Sequence, residues 1–106
     1  PRPEAIVTTG EGGSHILGSP AAAVKVTEYI SYTCPACSRF SAESSATLRT
    51  DYVARGRVST EVRHLVRDPV DLAMAVAAHC GAPARFFSRH EALMAEQPAI
   101  LERVQA

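Results

Sequence analysis

Val24-Lys25-Val26-Thr27-Glu28-Tyr29-Ile30-Ser31-Tyr32-Thr33-Cys34-Pro35-Ala36-Cys37 is a strand-like run that leads directly into a pair of cysteines. Its first eight residues are rich in β-branched and aromatic side chains, the composition of a strand. Alternation puts Val24, Val26, Glu28 and Ile30 on one face, so that apolar face carries a lone carboxylate. From Pro35 to Ala54 the pattern turns helical, with Cys37, Phe40, Ser44, Leu48 and Tyr52 at three- and four-residue steps. Two thiols three residues apart in a first helical turn lie close enough to form and break a disulfide. Cys34 also meets unsatisfied N–H groups and the positive end of the helix dipole. That setting lowers a cysteine's pKa, and the thiolate is the form that attacks disulfides. Cys34 is therefore the candidate nucleophile and the more buried Cys37 the candidate resolving thiol. Pro35 presets φ for the turn that Pro35 and Ala36 form between them.

Upstream, residues 1–14 are poor in core-forming side chains, end in Gly10-Glu11-Gly12-Gly13-Ser14, and read as a flexible arm. His15-Ile16-Leu17 reads as a short strand stopped by Gly18-Ser19-Pro20. Downstream, Arg55-Gly56 closes the helix and Val58 to Val66 reads as another strand. Asp68-Pro69 is an N-cap acid followed by proline, the start of a helix that runs to Cys80 and is closed by Gly81. Pro83 opens a further helix, Pro98 interrupts it, and Ile100 to Val104 is helical again. The strand–helix–strand order implies an α/β fold with a parallel βαβ unit. A parallel sheet of two or three strands needs cover on both faces, so the chain reads as the front part of something larger.

With 106 residues, 46% apolar and 21% charged, the chain has the composition of one folded domain. Eleven basic residues balance eleven acidic ones, without the basic excess of a nucleic-acid binder. No run is long and apolar enough to imply a membrane span; the best stretch, Val70 to Cys80, is short and broken by Asp71. Three cysteines suggest one working pair plus Cys80 as a buried apolar filler. No leader-like segment precedes Pro1, so either the protein is cytosolic or its numbering begins after a removed leader.

The competing reading of the CxxC pair is a metal half-site. Structural zinc wants four ligands, and the other candidates are Cys80, His15, His64, His79 and His90, none at a standard ligand spacing. A c-type haem site would need histidine where Ser38 stands. His79 and His90 read as surface or satisfied helix residues, and Phe86, Phe87, Leu93 and Met94 as packing. Glu28 is open between a buried acid and a peripheral one paired with Lys25 or Arg63. The function that the residues suggest is thiol–disulfide exchange. The alternative is a non-enzymatic metal-binding module using Cys34, Cys37 and a third ligand.

The sequence resembles the DsbA-like branch of the thioredoxin superfamily from His15 onward. The matching residues are His15-Ile-Leu-Gly-Ser-Pro20, the strand Val26-Thr-Glu-Tyr29, Ser31-Tyr-Thr-Cys-Pro-Ala-Cys37 and the strand end His64-Leu65. Asp68 to Gln97, with Phe86-Phe87 and Ala92-Leu93, resembles the family's inserted helical subdomain. The resemblance implies a thioredoxin βαβ part at residues 15–67 and a helical part at 68–106, with the family's C-terminal hairpin and helix absent. It implies a protein disulfide oxidoreductase in the periplasm or another extracytoplasmic compartment. It implies cysteine-containing protein substrates, a redox partner that recycles the pair, and no small-molecule cofactor. It also favours Glu28 as the proton acceptor for Cys37.

Two departures from the family are visible. Where the family often has histidine before the second cysteine, this chain has Ala36, which implies a less acidic Cys34 and a less oxidising pair. No proline here can supply the family's cis-proline loop, since Pro69, Pro83 and Pro98 all sit at helix starts or breaks. These 106 residues therefore read as part of a parent of about 200 residues, and alone as a fragment that lacks half of the substrate surface.

Overall fold

The computed structural model describes residues 2–105 and sets a four-stranded sheet against three helices. The strands are β1 (Val7–Thr9), β2 (His15–Leu17), β3 (Val24–Ile30) and β4 (Val58–His64). The helices are α1 (Pro35–Thr47), α2 (Pro69–His79) and α3 (Phe86–Gln105). The sheet order is β1-β2-β4-β3. β3 and β4 run parallel, joined across the sheet by α1, in a register that pairs Glu28 with Val62 and Ile30 with His64. β2 is antiparallel to β4, and β1 is antiparallel to β2.

The βαβ unit is present, but the sheet is mixed and wider than the two or three parallel strands expected. The added strand, β1, comes from the stretch read as an arm, where Val7-Thr8-Thr9 pairs with β2. Three residues are too few to show a period, and Thr8 and Thr9 are exposed, so no apolar alternation announces them. Pro1 and Ala106, the outer ends of the expected arm and of the expected helical part, lie outside the described residues. Gly18 leaves β2 at φ 123°, where a Cβ would stand 3.0 Å from the Ser59 Cα and the Val58 carbonyl. Only glycine lets the chain turn away so close to β4.

α1 widens over Leu48–Val53 into a π-type turn, with the Ala54 N–H donating to the Arg49 carbonyl at 2.8 Å. α2 starts as expected: the Asp68 side chain accepts from the Asp71 N–H, and Pro69 follows. The expected break at Pro98 does not occur, because α3 is continuous with Pro98 inside it. Proline removes the N–H that would bond the Met94 carbonyl. The Ser38 hydroxyl of α1 donates to that carbonyl instead, at 2.9 Å, so the gap is filled from the neighbouring helix.

The core lies between one sheet face and the helices, and includes Ile30, Tyr32, Val62, Met74, Phe86 and Met94. Cys80 is not a buried filler. The buried stripe of α2 is Asp71, Met74, Ala75 and Ala78. Cys80 falls past that stripe, at the exposed C-cap of the helix. On the other sheet face Glu61 is buried, accepting from Ser14 and paired with Lys25 at 3.0 Å and Arg63 at 2.9 Å.

Candidate active site

Cys34 is the N-cap of α1, in extended conformation, and its carbonyl accepts the N–H groups of Cys37 at 3.1 Å and Ser38 at 3.2 Å. This geometry turns the Cys34 sulfur toward the open N–H groups of the first turn. The Cys37 N–H does most to hold the Cys34 thiol below its ordinary range. Burial opposes it, while the Cys37 thiol, the Ala36 N–H and the Arg67 guanidinium add to it. Cys37 moves the other way, pushed up first by burial and then by its hydrogen bond to Cys34 and the Cys34 charge. Both thiols are free and half-buried, while Pro35 and Ala36 lie exposed on the turn between them. The cation missing at Ala36 has a partial replacement in Arg67, whose guanidinium donates to the Thr33 carbonyl at 3.1 Å.

Glu28 lies on the sheet face beneath this turn. It lines an apolar groove with Tyr29, Ile30, Ala36, Cys37 and Phe40. On its other side it lines a cavity of about 30 Å³ with Ser45, Arg49, His90 and Glu91, room for a water or two. Burial raises the Glu28 carboxyl above its usual range, and the Glu91 charge adds to the effect. Lys25 and Arg63, the partners that would make Glu28 a peripheral acid, both pair with Glu61.

The segment that leads into Cys34 is held by side chains the sequence did not mark as functional. β3 ends its ladder at Ile30, whose carbonyl accepts the Leu65 N–H at 2.8 Å. Beyond it, Asp71 accepts the Tyr32 N–H at 2.9 Å and the Ser31 hydroxyl at 2.5 Å. Asp71 also accepts the Arg67 N–H at 3.0 Å, and Asp68 accepts the Thr33 hydroxyl at 2.8 Å. Gln97 donates to the carbonyls of Tyr32 at 2.7 Å and Cys34 at 2.8 Å. The Tyr32 hydroxyl pairs with His90 Nδ1 at 2.8 Å, and burial drives the His90 pKa down to about 4. Asp71 had one visible signal, an acid inside an otherwise apolar run; Gln97 had none.

Histidines are brought together more than their spacing suggested. His64 and His79 meet Nε2 to Nε2 at 2.8 Å, with the His15 ring 5.0 Å from that of His79. Among the described residues, however, no three His, Cys, Asp or Glu side chains are arranged to hold a metal ion. The metal-binding alternative thus finds no third ligand beside Cys34 and Cys37. No helix among the described residues is long and apolar enough to cross a membrane.

The thioredoxin family model matches residues 10–104. Among solved structures, a protein-disulfide isomerase from Novosphingobium aromaticivorans is 42% identical, with a TM-score of 0.82 over 86% of this chain and 46% of its own. BdbD from Bacillus subtilis is 26% identical, with a TM-score of 0.70 over 78% of this chain and 47% of its own. Wolbachia pipientis alpha-DsbA1, at 23% identity, shares the fold with a TM-score of 0.77 over 91% of this chain and 54% of its own. The chain thus spans about half the length of the solved structures it matches. No curated protein sequence matches it significantly. The family match over residues 10–104, with a CxxC pair at the head of the crossover helix, places the chain in the thioredoxin family.

Proposed function

We propose that this chain carries the catalytic pair of a protein disulfide oxidoreductase. The observation that carries the reading is the placement of the CxxC pair on the first turn of α1, where open N–H groups favour the Cys34 thiolate and burial keeps Cys37 a thiol. The Cys34 thiolate attacks one sulfur of a substrate disulfide. The substrate S–S bond breaks, a mixed disulfide forms, and the departing substrate sulfur takes a proton. Glu28 then accepts the Cys37 proton, and Cys37 attacks the Cys34 sulfur and releases the second substrate thiol. The pair ends as a disulfide and the substrate is reduced by two electrons. Run backwards, the same steps oxidise a substrate dithiol.

The electrons reside on the two sulfurs, so no small-molecule cofactor enters. A redox partner resets the pair, and the substrates are proteins with cysteines. The compartment is extracytoplasmic, where protein disulfides persist. In this reading residues 15–67 carry the redox centre and residues 68–105 form a helical part that frames it.

A redox titration of the full-length protein against glutathione, with free thiols alkylated and counted by mass, tests the reading. A two-electron transition confined to Cys34 and Cys37 is expected, and Cys37→Ala should trap mixed disulfides on Cys34. A pair that never cycles would remove the oxidoreductase assignment.

A further inference from the structure

Residues 31–34 lie between the end of the β3 ladder and the start of α1; α1 supplies partners for the Cys34 carbonyl, through the Cys37 and Ser38 N–H groups, but the carbonyls of Ser31, Tyr32 and Thr33 need partners that neither element supplies. The Ser31 carbonyl takes the Cys34 N–H at 3.2 Å, and the Thr33 carbonyl takes Arg67. The Tyr32 carbonyl, left over, and the Cys34 carbonyl, beside its two α1 N–H groups, converge on one side-chain amide, that of Gln97. Gln97 is 2% exposed, on the α3 stripe that also buries Phe86, His90 and Met94. A leucine or methionine would fill that place without the cost of burying an amide. The amide has what the place requires, two N–H donors on one nitrogen for two acceptors.

We propose that Gln97 is a positioning residue for Cys34, bridging the carbonyls on either side of Thr33 so that the nucleophile keeps its N-cap geometry and the pair its redox poise. The proposal rests on the oxidoreductase reading for its consequence, though not for its geometry. With the bridge removed, the Cys34 backbone can turn and carry its sulfur away from the N–H groups of the first turn. The thiolate, and with it the reduced form of the pair, then loses stability relative to the disulfide.

Gln97→Met keeps the volume and removes both donors, and is measured in the full-length protein beside the wild type. The pH midpoint of Cys34 alkylation should rise by about half a unit to one unit, and the glutathione equilibrium should move toward the disulfide about threefold to tenfold. A variant that merely melts earlier, with both readouts unchanged, overturns the proposal. Wild-type protein with the glutamine side-chain amides labelled for NMR gives a second test that needs no variant. The Gln97 amide protons should exchange slowly and shift with the Cys34 titration, whereas fast exchange without such a shift overturns the proposal. A wild-type pair that fails to cycle with glutathione sinks the oxidoreductase reading, while the Cys34 midpoint still decides the role of Gln97.

Discussion

In the proposed mechanism, Glu28 serves chemistry at the expense of stability. Its raised pKa means the fold favours the neutral carboxyl, so ionisation near neutral pH weakens the fold. Glu28→Gln should therefore raise the urea midpoint at pH 7 while slowing resolution of the mixed disulfide by Cys37. A variant that is no more stable, or that resolves at the wild-type rate, would refute this account. Of the proposed site residues, Glu28, Cys34 and Cys37 could be picked out of the sequence because each stands out locally, as an acid on an apolar face or as thiols opening a helix. Gln97 could not, because its partners lie 63 and 65 positions away and a lone glutamine in a helix has no signature. Cys80 was misjudged for a related reason: an alanine-rich helix looks buried all round, but only one of its stripes is.

Helices α1 and α3 share a repaired defect. The Met94 carbonyl, left open by Pro98, is taken by the Ser38 hydroxyl, one residue beyond Cys37. Ser38→Ala should cost about 1 kcal/mol in urea unfolding, the usual scale of one such bond. The cost should shrink toward zero in a Pro98→Ala background, where an N–H returns to the helix ladder, so a double-mutant cycle reads the coupling directly. Equal costs in both backgrounds would mean that the hydroxyl does not serve the proline gap. Proline marks a helix start well, as Asp68-Pro69 does, because the rule needs only local geometry. It marks an interior break poorly, because a neighbour distant in sequence can satisfy the freed carbonyl. β1 escaped notice on similar grounds, since a three-residue edge strand is defined by its partner more than by its own pattern.

Across the whole molecule, buried imidazoles tie stability to pH. His90 is kept neutral, with its pKa moved from 6.5 to about 4, so between those values the unfolded chain holds the extra proton. Stability should therefore fall as pH drops through that window, by about 2 kcal/mol between pH 7 and pH 5 from His90 alone. His15, His64 and His79 are shifted in the same direction and add to the slope. Urea unfolding at the two pH values, with His90→Gln as the comparison, isolates the His90 share, and identical slopes would exclude it. The order of elements, strand–helix–strand and then helices, was legible because it follows the chain, whereas the contacts between those elements were not. Those contacts have a further consequence for the birth of the protein. Among the described residues, every side chain from outside Ser31–Cys37 that hydrogen-bonds residues 31–34 comes from residues 67–97, so a chain emerging from the ribosome presents its cysteines long before it can organise them. Until residues 67–97 have been made and docked, the segment that leads into Cys34 lacks these bonds.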